Sequence, residues 1–274
     1  MSVDSKRERL VPDWATAAFD RFVDQTERLW NVTRLSCHGI SLLRGIPNTV
    51  GTLAAIKEIG GEKEAPEHKD QLERARKDAD LAQREVDSGF PLVFSHAIVT
   101  LWSLLESTTR ATVVAWLRNN PDSFRAEAIA RLRVRIGEYE QLVDEERYYY
   151  IAELLEGELG AGIRNGVERF ESLLRPFGLD GAIPERLRRD MFEFGQIRNT
   201  IVHSGGVTDR QLTTACPWLG FSVGVDIPIT GEHFHRYQEA AQSYSVVLMC
   251  RVAVKFGGDV SAHATKVLAK YDAT

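Results

Sequence analysis

The residues of this chain best placed to do chemistry are Arg198, Asn199 and His203, in the run Arg198-Asn199-Thr200-Ile201-Val202-His203, with Ser204-Gly205-Gly206 directly behind. Histidine titrates near neutrality and so suits proton transfer. Arginine stays charged, and its planar fork matches the oxygens of a phosphate or carboxylate. Asn199 lies four residues before His203, on the same helical face, where an amide can hold the ring in position. Together they suit proton transfer beside a bound anion.

The element that must position them is a helix over 184–204. Pro184-Glu185 opens it, and the double glycine stops it. Its apolar positions, Leu187, Met191, Phe194 and Ile201, run in steps of three and four once Arg198 is counted among them. Arg198 therefore interrupts a core-facing stripe. A buried guanidinium needs an acid, a wet cavity or an anionic ligand. One acid is Glu106, which with Arg110 first breaks the most apolar run of the chain. Arg198 would then form a structural pair with Glu106, and His203 would only complement the helix dipole. Arg198 and His203 also stand five residues apart, about 140° around a regular helix. For both to reach one phosphate, the helix must unwind near Gly205-Gly206 or two copies must share the site.

Arginine, a polar residue, then histidine four to six positions after the arginine, at the end of a core helix, resembles the signature of HEPN domains. The likeness spans roughly residues 66–256, with the motif as its specific part. It implies an all-α fold: a HEPN-like helical bundle, here with an N-terminal helical extension and a small β-hairpin insertion. It also implies a homodimer in which Arg198 and His203 of both chains line one cleft. The implied activity is metal-independent cleavage of RNA by attack of the 2′-OH, as a toxin or antiviral-defence effector with RNA as substrate. His203 would be general acid or base, Arg198 the clamp on phosphate and transition state, Asn199 the orienting group and Glu106 a support. No cofactor and no metal is expected, and an antitoxin or defence protein is a possible partner. Family members controlled by a nucleotidyltransferase antitoxin often carry a tyrosine two positions after the histidine. Gly205 stands there in this chain, which points to another form of control. Other members are non-catalytic, so the alternative is a HEPN-like dimer that binds RNA, a nucleotide or a protein partner. A purely structural helical scaffold is the third reading.

With 274 residues, 43% of them hydrophobic, the chain can bury a substantial core. A net charge of -5 excludes wholesale attraction to nucleic acid, so RNA contact requires a local basic patch. Arg186, Arg188 and Arg189 are the candidates nearest the motif, with Arg125, Arg131, Arg133 and Arg135 as a further rim. Cys37, Cys216 and Cys250 show no paired spacing, which fits a reducing compartment. No apolar signal core follows the charged N-terminus, and the longest uncharged run, Phe90–Leu105, is short for a membrane span. A cytoplasmic location away from membranes is expected.

The chain divides into an N-terminal helical arm over 1–60, a bundle over 66–256 and a short tail over 257–274, with Gly60–Ala65 as linker. Pro66 opens a charged helix to Asp87 whose seam is Leu72, Ala75, Ala79, Ala82 and Val86. Phe90 to Leu117 is the central helix. Asp122 is expected to cap another, carrying Ile129, Leu132 and Ile136. Beyond the motif, Phe221, Val223, Val225, Ile227 and Ile229 alternate with polar, glycine and proline residues, which predicts one strand of a hairpin at about 207–230. Tyr148-Tyr149-Tyr150 could stack bases, but the three point in different directions on a helix. His233 and His235 diverge on a helix and lack a third ligand, so zinc is not expected.

Overall fold

The computed structural model describes residues 11–61, 66–258 and 261–272, and among them it is all-α, with twelve α-helices and no strand. The longer helices are α1 (Asp13–Leu43), α2 (Ile46–Ile59), α3 (Pro66–Asp87), α4 (Pro91–Asn119), α7 (Glu145–Glu158), α9 (Glu185–Ser204), α11 (Gly231–Lys255) and α12 (Ser261–Asp272). Between them lie the short α5 (Glu127–Ala130), α6 (Ile136–Tyr139), α8 (Glu168–Leu174) and α10 (Arg210–Ala215). No single helix among the described residues is long and apolar enough to cross a membrane.

Helix α4 is the axis, because its apolar positions run all round it. Its first half, Ala97 to Leu105, joins a core made with Phe170, Met191, Phe194, Phe234, Tyr237 and Tyr244. Its second half, Val113 to Leu117, joins another with Leu155, Leu174, Leu248 and Val252. Aromatic geometry locks α9 into the first core. Trp102 meets Phe194 edge-on at 4.9 Å, and Phe194 stacks on Tyr237 at 5.1 Å. Gly195 lets this happen: a Cβ there would lie 3.0 Å from the Trp102 ring.

The seam of α3 is as the sequence predicts. Ala75 and Ala82 are buried and Leu72, Ala79 and Val86 half-buried, while the charged positions from Glu73 to Arg84 face outward. Ser88-Gly89 breaks the chain before α4, with Gly89 and Phe90 both at positive φ. Four expectations differ. The first helix is no detached arm: Ala15, Phe19 and Phe22 enter the two cores, and α1 packs along α4, α3 and α11. Helix α2, which buries no residue, packs on α3. The C-terminal segment is likewise built in, since α12 lies on α11 and α9 and buries Tyr271. Of the expected linker, residues 62–65 lie outside the described residues, as do 259–260 and 273–274 of the expected tail.

The helix expected after Asp122 is broken into a 3-10 turn (Pro121–Arg125), α5 and α6. Ile129 reaches the core, but Ile136 is 74% exposed, so no continuous apolar face is buried to sustain one helix. The expected β-hairpin is also absent. Residues 207 and 226 form a single antiparallel bridge, and α10, capped by the Asp209 carboxylate at 2.7 Å from the Leu212 amide, occupies the place of the first strand. The alternation at 221–229 has a different cause: Ile227 and Ile229 plug the core, while Val223 and Val225 stay outside, with the chain turning at Gly224 (φ +83°) between the latter two.

One glycine fixes how the 160s loop meets α9. Gly166 has φ +58°, and a Cβ on it would lie 2.7 Å from the Phe192 Cα. Gly166→Ala is expected to lower stability by at least about 2 kcal/mol, from left-handed backbone strain plus a contact that only a backbone shift relieves. Gly224→Ala, where nothing lies within 4 Å, isolates the strain alone. Urea midpoints of the two variants check this, with Gly166→Ala falling further.

Candidate functional site

The motif helix α9 begins after Pro184 and keeps its helical form through Ser204. Leu187, Met191 and Phe194 are fully buried, so the stripe faces the core, but at its far end Ile197 takes the fully buried place while Arg198 and Ile201 are half-buried at its edge. Gly205 then takes φ +62°, and the Gly206 amide reaches back to the Thr200 carbonyl at 3.2 Å, closing the helix in the glycine-terminated manner. Asp209 secures this end by accepting from the Ser204 hydroxyl at 3.1 Å.

Arg198 is half-buried, and no acid pairs with it among the described residues. Its Nη1 donates to Asn199 Oδ1 at 3.1 Å, while its Nε is buried with no acceptor. Glu106 is elsewhere: it lies 3.0 Å from Arg169 Nη2, beside the two-pronged Arg110–Glu156 pair at 2.8 and 2.7 Å. The expected Glu106 support and the alternative Arg198–Glu106 pair are therefore both absent. The cause is the direction of Glu106 from α4, toward Ala161, Phe170 and Leu173 rather than toward α9's last turns. Asn199 also departs from expectation, since its amide oxygen serves Arg198 and not His203.

His203 is exposed on the last turn of α9 and makes no hydrogen bond or ion pair among the described residues. Because α9 does not unwind before it, His203 and Arg198 diverge by about 140° within one chain. Exposed apolar side chains surround this end: Val202 beside the histidine, and Val207 and Val225, joined through the contacts of the isolated bridge.

The predicted basic residues do not gather around the motif. Arg186, Arg188 and Arg189 stand on the first turns of α9, about 20–25 Å along the axis from His203 at 1.5 Å per residue. Arg186 reaches the Lys270 carbonyl at 3.4 Å, and Arg188 the Ile183 carbonyl at 3.5 Å. Arg189 lies over the Trp218 ring, 4.4 Å from its centroid. On the far rim, Arg125, Arg131 and Arg135 are taken up by local ion pairs with Asp122, Glu127 and Glu138.

Sequence reasoning missed the polar cluster on the side of α9 turned away from Arg198. The Glu193 carboxylate is 1% exposed, accepts from the Tyr237 hydroxyl and from Trp218 Nε1, each at 2.7 Å, and is paired with Arg236. Asp190, one turn earlier, is also buried, and desolvation raises its pKa. Burial pushes the neighbouring Cys216 thiol up to about 12, with the Glu193 charge adding to the effect. The available signal was the spacing: Asp190 and Glu193 sit directly beside the buried Met191 and Phe194. His233 is spent on local structure, its Nδ1 closing a capping box with Thr230. Among the described residues no three His, Cys, Asp or Glu side chains converge as a metal site would.

Burial, reinforced by Glu193 and Glu171 respectively, holds the pKa values of Tyr237 and Tyr244 well above the ordinary tyrosine range. The unfolded chain ionises near pH 10, so the folded state keeps its full stability below that value and loses it as the pH climbs further. Of the seven tyrosines, these two are expected to give no tyrosinate absorbance until the fold itself is lost, which spectrophotometric titration alongside circular dichroism checks. Comparison with protein-family models, curated proteins and solved structures finds no match to this chain.

Proposed function

We propose that this chain is a metal-independent endoribonuclease of HEPN type, a toxin or antiviral-defence effector, whose active cleft is made by the α9 ends of two copies. The observation that carries this reading is Arg198: a half-buried guanidinium at the edge of the core stripe with no acidic partner among the described residues and a buried, unsatisfied Nε. A buried donor left unpaired costs about 1–3 kcal/mol. An anion entering beside Arg198 relieves that cost and receives a charge-assisted fork. His203, exposed at the same helix end, supplies the proton-transfer group.

In this reading the ribose 2′-oxygen attacks the adjacent phosphorus as a histidine takes its proton. The bond to the 5′-oxygen breaks, and that histidine, now protonated, gives the 5′-oxygen the proton it took. Arg198 neutralises the charge on the non-bridging oxygens. The products are a 2′,3′-cyclic phosphate and a free 5′-hydroxyl. The divergence of Arg198 and His203 on a regular helix supports the two-copy arrangement, and Val202, Val207 and Val225 give that helix end an apolar rim for a second copy to cover. Incubation of purified protein with labelled structured RNA in excess EDTA tests the reading. Cleavage leaving cyclic phosphate ends is expected, and intact RNA across a panel of sequences counts against it.

One observation favours a non-catalytic HEPN-like module instead: no side chain among the described residues orients the His203 ring, and Asn199 is engaged by Arg198. That alternative predicts RNA or nucleotide binding that Arg198→Ala weakens, with no turnover.

A further inference from the structure

We propose that Trp218 is a stacking platform for an unpaired base of the RNA strand, a substrate subsite set apart from the cleaved phosphate. This rests on the ribonuclease reading above. Trp218 is 42% exposed, in a 3-10 turn of Pro217–Leu219, and Pro217 and Gly220 beside it are exposed as well. Yet the ring is fixed. Its Nε1 donates to the buried Glu193 carboxylate at 2.7 Å, and the buried Cys216 anchors the turn from behind. Arg189 lies over the ring at 4.4 Å, and Phe192 approaches it at 6.4 Å.

A large aromatic ring held rigidly at the surface has already lost its rotamer freedom, so a base that stacks on it gains contact at little entropic cost. Stacking accepts any base and needs a single strand, since bases in a duplex are already stacked. The neighbouring charges fit a phosphate backbone. Arg186 and Arg188 are exposed; Arg186 has a long contact to the Lys270 carbonyl at 3.4 Å, and Arg188 one to the Ile183 carbonyl at 3.5 Å and a loose ion pair with Glu185 at 3.9 Å. The Arg236 charge, by contrast, is spent on Glu193.

The placement along α9 relates this platform to the motif. At 100° per residue, Arg189, Phe192 and His203 fall within about 60° of one another around the helix. The Trp218 platform is therefore on the His203 side of α9, about 16–21 Å along the axis. At about 3.4 Å per stacked base, a strand of five or six nucleotides spans that distance.

The test uses the full chain carrying His203→Ala, so that RNA stays intact. Anisotropy measures its binding to a labelled single-stranded oligouridine and to a duplex of equal length, in EDTA at fixed salt. Adding Trp218→Ala is expected to weaken single-strand binding by about 5- to 150-fold, the range that stacking of one base supports, and to leave duplex binding unchanged. Trp218→Phe, which keeps a stacking face but loses the bond to Glu193, is expected to bind within a few fold of the parent. The parent's tryptophan fluorescence is expected to be quenched by the oligomer, and Trp218→Phe to lose most of that quenching. Equal single-strand affinity in the parent and in Trp218→Ala overturns the platform and leaves the ribonuclease reading standing. Failure of the parent to bind any RNA overturns both.

Discussion

His203→Ala and Arg198→Ala are each expected to lower the rate of RNA cleavage by about 10²–10⁴-fold, the range supplied by one positioned proton-transfer group or one transition-state clamp. Their effects on stability are expected to differ. His203 is exposed and makes no hydrogen bond or ion pair among the described residues, so its removal leaves the melting temperature nearly unchanged. Arg198 carries a buried Nε without an acceptor, so its removal relieves an unsatisfied donor, and the melting temperature holds or rises slightly. A guanidinium serving as a structural pair would behave oppositely: its loss would destabilise the fold by several kcal/mol. Arg198→Lys keeps the charge but loses the fork, and should retain only part of the activity. Initial cleavage rates and thermal melts of the same three preparations check the set. A marked drop in melting temperature for Arg198→Ala, with cleavage intact, would contradict it.

The largest effect on stability is expected at Arg251. The Glu171 carboxylate is buried and accepts from Arg251 Nη1 at 2.8 and 3.1 Å, the Tyr244 hydroxyl at 2.8 Å and the Gly181 amide at 2.8 Å. Arg251 also reaches the Leu179 and Ala182 carbonyls at 3.2 and 3.3 Å. One side chain of α11 thus ties α8 to the loop that launches the motif helix. Removing one partner of a buried pair strands the other charge and costs about 3–5 kcal/mol. Arg251→Met is expected to lose about that much in urea unfolding. Adding Glu171→Gln should restore part of it, because the stranded charge is gone. A loss below about 1 kcal/mol, or strictly additive effects of the two changes, would show that the pair does not carry the loop.

The parts of the fold legible in the sequence are those where local signals and tertiary packing agree. Helix α9 has Pro184 before it, Gly205 behind it and a stripe buried from Leu187 to Phe194, and α3 has a seam whose Ala75 and Ala82 are buried too. The illegible parts are those where packing decides. The period-two alternation at 221–229 arises because Ile227 and Ile229 insert into the core, not because a strand forms. The break at 121–139 follows from a missing apolar face. Helix α1 belongs to the bundle through Phe19 and Phe22, which no linker signal could indicate. At the site, the order Arg198, Asn199, His203 and their divergence were legible, because helix geometry alone dictates them. Which residues meet Arg198, where Glu106 points and why Trp218 is held at the surface depend on contacts between elements distant in sequence.

The central claim is that Arg198 and His203 serve one phosphate although a single α9 turns them apart, so that each cleft draws on two chains. Co-expressing Arg198→Ala and His203→Ala chains with different tags, and purifying the complex that carries both tags, tests this directly. Each variant alone lacks one of the two groups in every cleft, whereas the mixed complex has one arginine from one chain and one histidine from the other. Recovery of RNA cleavage in EDTA well above either parent is the predicted result. A mixed complex as inactive as its two parents, or chains that never copurify, would contradict the account.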